Sequence, residues 1–319
     1  TVTYPYTSWE TAADSIQKVI NICNPGDTII VGAGTFYESI TTAIPLTFIG
    51  LGTDSTVING SGLSTFGTVN FEADCSISGF HIIGSGDHWD SQIVIASFHD
   101  MNVSDCLLED ANRGLWIGRS GNFRNLIFRN VHIAVQSHGT LPGVQQNIEN
   151  CVMMIQYKNG ELNGIRGNLF GTINLKSSVI LFKDHVSLAG SGIELSHPDR
   201  LIAKNNIIVA IPKPGITSTS YLQFCISKVP YAYPDSPSVV ENNYLNPTAQ
   251  GTSSGRGIGI LNESTNYRIS NNIVTRCSLG VFAPTSQITQ GLSYNLFWDN
   301  LINIRPSLYY GPGDTTANP

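Results

Sequence analysis

The chain has 319 residues, of which 31 are glycine and only 13% are charged, with a formal net charge of −6. A chain of this length buries a large core, and its outside must be built from Gly, Ser, Thr and Asn rather than from charges. A net acidic chain without a basic stripe excludes nucleic acid as a partner, and no apolar run approaches the roughly 18 residues of a membrane span.

Residues 9–22, "WETAADSIQKVINI", carry Ala12, Ala13, Ile16, Val19 and Ile20 at near-helical spacing, with Ser8 placed as an N-cap. They predict a capping helix, so residues 1–24 read as an N-terminal cap and entry. No signal peptide precedes it, the reading of a mature or trimmed chain. Next comes "PGDTIIVGAGTFYESI", where Gly32-Ala33-Gly34 follows a strand-like run. A phosphate-cradling loop needs a third glycine and then a helix, and neither follows. The glycines therefore read as corners between short strands.

One six-residue pattern then recurs down the chain. It appears as "ISGFHI" at Ile77, "VSDCLL" at Val103, "FRNLIF" at Phe123, "IENCVM" at Ile148 and "LKSSVI" at Leu175. It continues as "AKNNII" at Ala203, "VENNYL" at Val240, "ISNNIV" at Ile269 and "LSYNLF" at Leu292. The motif is fixed while the spacing varies, which means that turns change length and strands keep register. Most copies are followed by a second segment headed by a small turn: "GLWIG" at Gly114, "HIAVQ" at His132, "GIRGN" at Gly164, "GIELS" at Gly192, "GIGIL" at Gly257 and "LGVFA" at Leu279.

Each coil thus reads as strand, Asn-rich corner, strand, glycine corner, strand, with alternate residues pointing in and out. That is an all-β parallel solenoid, a single β-helix of about nine or more coils over residues 25–305, with 306–319 as a tail or second cap. From Pro25 onward the pattern resembles the right-handed parallel β-helix superfamily, the pectate-lyase-like proteins with stacked asparagine corners. The resemblance implies the fold, and in its lyase families a Lys or Arg base and, in several, calcium held by clustered carboxylates. The calcium cluster is missing from this sequence, so calcium is left without support, no cofactor is required and no metal ligand is assigned.

Asn206, Asn243, Asn272 and Asn295 share the fourth position of their segments and predict an internal amide ladder. Cys106 and Cys151 share that column with one coil between them, roughly 9 to 10 Å apart, beyond the reach of a disulfide. Six scattered cysteines show neither metal spacing nor a disulfide framework. "NGS" at 59, "NVS" at 102 and "NES" at 262 match the glycosylation acceptor pattern, a weak sign of secretion.

Function then falls to the outside of the coils. Aligning the second segments on their glycines, and reading one residue past the first apolar position, gives an outward column of Trp116, Ala134, Arg166, Glu194, Gly259 and Phe282, with Arg119, His138 and His197 further along. Arg166 and Glu194 then stand one coil apart and can pair. Arg166, Glu194 and His197 are the catalytic candidates. Trp116, Arg119, His138, Tyr231 and Tyr233 are the substrate-binding candidates, the tyrosines on a long Pro-rich insertion over 209–239. β-Elimination on an acidic polysaccharide needs a base and a cation for the sugar carboxylate, whereas hydrolysis needs two carboxylates. For the latter, Asp199 is the one partner in view for Glu194.

Three readings follow. The first is an extracellular protein that binds polysaccharide along an outer groove, with lyase or hydrolase activity left open. The second is a non-catalytic cell-surface, adhesin or filament rod whose partner is a surface glycan or, by self-association, another copy. The third is a phage tailspike-like domain, which implies a trimer.

Overall fold

The computed structural model describes residues 8–63, 66–84, 93–139, 143–156, 162–168, 171–185, 190–196, 200–212, 224–229, 238–247, 256–260, 267–282, 291–305 and 312–317. Within them the chain winds as a parallel β-solenoid. Its first sheet has eleven strands in chain order, from Thr28–Val31 to Leu292–Ser293, each hydrogen-bonded to the same strand of the next coil. Two further parallel ladders complete the coil. One runs through His81–Ile83, Val152–Gln156 and Ile207–Pro212, the other through Ile93–Ser97, Leu162–Asn168 and Gly190–Ser196. The long strands Leu107–Ile117 and Ile127–Ser137 cross from one to the other, bending at Asp110 and Asn130, both with φ near +55°.

The repeat motif is a corner device. Its third residue takes the left-handed conformation, as in Asp105, Asn125, Asn150, Asn205, Asn242 and Asn271, whose φ values lie between 54° and 58°. Asn and Asp tolerate this region because their short polar side chains bond locally. The kink turns the fourth residue inward, so Phe80, Cys106, Leu126, Cys151, Asn206, Asn243, Asn272 and Asn295 are all buried.

The expected ladder is formed. Asn206, Asn243 and Asn272 each donate from Nδ2 to Oδ1 of the asparagine in the next coil, at 3.0, 2.9 and 3.0 Å. The same acceptors take the backbone N–H of the preceding asparagine. At its C-terminal end Asn295 donates from Nδ2 and backbone N to Asp314 Oδ1, at 3.0 and 2.7 Å. Every buried polar atom in this column thereby finds a partner within the protein. A second asparagine row, Asn102, Asn122, Asn147 and Asn174, lies on the outer face of the first sheet and runs in the opposite sense, with Nδ2 of Asn122, Asn147 and Asn174 each donating to Oδ1 of the asparagine in the preceding coil.

All six cysteines are free, and Leu126 separates Cys106 from Cys151 as the spacing requires. Burial raises their thiols, Cys106 to about 12 and Cys151 to about 11.

Three details differ from expectation. The helix is only Ile16–Ile20, and its N-cap is Ser15 rather than Ser8. Glu38 fixes that end, accepting from Ile16 N at 2.8 Å and Gln17 N at 3.1 Å, while Ile16 and Ile20 enter the core. Residues 209–239 are not one insertion: Phe224–Val229 is a coil strand between Gly190–Ser196 and Arg256–Ile260. Part of the segment expected as a tail or second cap also joins the solenoid, since Thr315–Ala317 pairs with Leu296–Trp298.

Candidate functional site

A column of small residues lies inside one corner of the solenoid: Gly114, Ala134, Gly164, Gly192, Cys225, Gly257 and Gly280. A Cβ on Gly164 would come within 2.6 Å of Gly192 O, and one on Gly192 within 2.5 Å of Cys225 O. At these glycines a side chain would meet the backbone of the neighbouring coil, and the column is otherwise filled by the small residues Ala134 and Cys225. Two residues later in every coil stands the outward position. The register therefore reads Ala96, Trp116, Gln136, Arg166, Glu194, Ser227, Gly259, Phe282.

This corrects the column expected from sequence. Ala134, placed there as an outward residue, is fully buried, because it fills the slot that glycine takes in adjacent coils. Aligning "HIAVQ" on His132 instead of Ala134 shifted the segment by two residues and hid Gln136.

On this face a cavity of about 400 Å³ is lined by Arg113, Gln136, His138, Arg166, Gly167, Glu194 and Ser196. Arg113 comes from the strand Leu107–Ile117, Gln136 and His138 from the end of Ile127–Ser137 and just beyond it, and the rest from Leu162–Asn168 and Gly190–Ser196. His138 is fixed by its backbone N–H, which donates to Ile117 O at 2.8 Å. Its imidazole is held below the ordinary histidine value, first by burial and then by the charges of Arg113 and Arg166. Both causes favour its neutral form. With two guanidinium groups and one carboxylate, the described lining carries net positive charge and suits an anionic ligand.

Trp116 borders this cavity without forming an open platform. The Phe66, Phe98 and His138 rings lie 5.3, 6.2 and 5.2 Å from its own, and the Arg113 guanidinium carbon sits 5.0 Å from its centroid. Its indole Nε1 is buried without a hydrogen-bond partner among the described residues.

Of the residues singled out by sequence, Arg166, Glu194 and His138 are brought together here, with Trp116 at the edge. Arg119 is exposed on the corner leading to the first sheet, does not line the cavity, and accepts at its backbone O from Gln146 Nε2 at 3.1 Å. His197, Asp199, Tyr231 and Tyr233 lie outside the described residues. Arg113, Gln136 and Ser196 were not foreseen. The signal for the first two was present, since Arg113 directly precedes a column glycine and Gln136 follows Ala134 by two.

Among the described residues no three His, Cys, Asp or Glu side chains converge as a metal site. Calcium wants several oxygens, and the described lining offers the single carboxylate of Glu194 beside two arginines, so this donor set does not fit that ion.

No family model matches the chain, and no curated protein does either. Among solved structures it is similar to a mannuronic acid specific polysaccharide family 6 lyase from human gut microbiota. The TM-score is 0.51 at 13% identity, over 88% of this chain and 69% of that one. A PL6 alginate lyase in complex with a trisaccharide gives 0.52 at 11% identity, over 95% and 81% of the two chains. A pectin methylesterase from Aspergillus niger covers 97% of this chain and 88% of its own at 14% identity, with a TM-score of only 0.42. What such identities show is the fold alone, a parallel β-helix.

Proposed function

We propose that the chain binds an acidic polysaccharide in the groove beside Arg166 and cleaves it by β-elimination. The observation that carries this reading is a histidine sharing a cavity with two arginines, where burial and their charges favour its neutral form. Arg113 and Arg166 hold the carboxylate of a uronate sugar and spread the negative charge that develops on it. His138 takes the proton from C5, the carbon that bears the carboxylate. The electron pair forms the C4–C5 double bond as the bond from C4 to the glycosidic oxygen breaks, and the departing oxygen takes a proton from water. Glu194 faces Arg166 from the next coil and orients it, while Gln136 and Ser196 offer hydrogen bonds to sugar hydroxyls.

Hydrolysis is less favoured because it uses two flanking carboxylates, and Glu194 is the only one among the described lining residues. The low charge of the whole chain suits an extracellular or cell-surface setting. Incubation with polygalacturonate, alginate and neutral polysaccharides tests the reading. Unsaturated uronate, seen by ultraviolet absorbance, is expected from an acidic polymer only and is lost in His138→Ala. Reducing ends without unsaturation would contradict it.

One observation favours a second reading, the assembling rod. On the second ladder an outward column of apolar residues, Ile127, Val152, Val179, Ile207 and Ile273, includes side chains 37 to 45% exposed. Sedimentation velocity separates the two: a rod-former sediments as an oligomer or filament, whereas the groove reading needs only the monomer.

A further inference from the structure

The groove is unlike at its two ends. Along the outward column the cavity lining begins at Gln136, and the preceding position is Trp116, against which Phe66 and Phe98 pack. Both phenylalanines are large apolar side chains left in solvent, 45% and 53% exposed. Phe98 is nevertheless seated firmly, since a Cβ on Gly118 would meet its Cδ1 at 2.7 Å and its Cα at 2.9 Å. The three rings form a ridge on the side of the earlier coils. In the other direction the register continues from Glu194 to Ser227 and Gly259, two small residues, before Phe282.

From this asymmetry we infer that the groove receives a polysaccharide by one end. The terminal sugar abuts the ridge of Phe66, Trp116 and Phe98, and the chain leaves towards the later coils. Sugars present apolar C–H faces as well as hydroxyls, so exposed rings at the stop gain by covering such a face. A cavity of about 400 Å³ sits near the lower bound for small-molecule sites and matches a short chain end rather than a long threaded polymer. Chain-end specificity, and hence exo action, is the consequence. This inference rests on the polysaccharide reading above.

Titration calorimetry on the cleavage-deficient His138→Ala protein, with polygalacturonate and alginate fractions of short, intermediate and long mean length, tests it. The expected result is one site per chain, so that binding capacity per gram of polymer is inversely proportional to chain length. Phe66→Ala with Phe98→Ala, at exposed positions, is expected to raise the capacity for long chains several-fold with an unchanged thermal midpoint. Capacity proportional to polymer mass, with the ridge intact, overturns the inference while leaving the polysaccharide reading in place. Absence of binding at every length removes both.

Discussion

Arg166 and Glu194 are register partners in the strands Leu162–Asn168 and Gly190–Ser196, so their backbones stand one strand spacing apart, about 4.8 Å, and both side chains line the groove. If Arg166 grips the substrate carboxylate and Glu194 only orients Arg166, the two substitutions differ in effect. Arg166→Ala is predicted to lower kcat/KM by about 10- to 150-fold, the worth of a hydrogen bond to a charged group at about 1.5–3 kcal/mol. Arg166→Lys recovers part of it, and Glu194→Gln costs less than tenfold. Equal losses in all three variants would remove the distinction.

His138 gives the pH dependence its sign. Its folded value lies below the ordinary value of about 6.5, so the neutral base persists to lower pH and the acid limb of kcat/KM has its midpoint below 6.5. The same shift favours the fold above the unfolded value, a contribution lost as pH falls through the folded one. In an NMR titration of the imidazole, Arg113→Gln raises the midpoint only partway towards 6.5, because burial, the larger cause, remains. A midpoint above 6.5 in the unaltered protein contradicts this account.

The buried asparagine ladder is predicted to carry stability and the exposed one hardly any. Asn272→Ala strips the acceptor from Asn243 N and Nδ2 and the donor from Val240 O. Each buried polar group left unpaired costs about 1–3 kcal/mol. Asn122→Ala, on the solvent face of the first sheet, is expected to change stability by no more than about 0.5 kcal/mol. Denaturant melts compare them directly, and similar midpoints would mean that the inner ladder is not a stabilising device.

Thiol chemistry reads out the same packing. Cys106 and Cys151 are buried, with thiols raised to about 12 and about 11, so they stay unmodified by iodoacetamide at pH 8 until the chain unfolds. Cys23 is partly exposed and reacts first. Intact mass before and after denaturant shows the order, and early labelling of Cys106 would contradict the buried column.

The corner motif was legible because it repeats: an αL residue followed by an inward one has a fixed chemical signature, from Asp105-Cys106 to Asn271-Asn272. The second corner was harder, since its rule is small size rather than a fixed chemical signature. Ala134 and Cys225 meet that rule without being glycine, which is why the column slipped at "HIAVQ" and why Phe224–Val229 was read as part of a loop. Arg166 and Glu194 were found because glycine marks their coils. The downward shift of His138 was not readable, because it comes from burial and from Arg113 and Arg166 on different strands. Capping by Glu38 was hidden for a similar reason, lying 22 residues from Ile16.

The central claim, uronate cleavage with His138 as base, is tested most directly by ultraviolet absorbance during incubation with polygalacturonate and alginate, for the unaltered protein beside His138→Ala and Arg166→Ala. The account predicts rising absorbance from at least one polymer, lost in His138→Ala and strongly reduced in Arg166→Ala, with all three proteins equally folded by circular dichroism. Unchanged production of unsaturated ends by His138→Ala would contradict it.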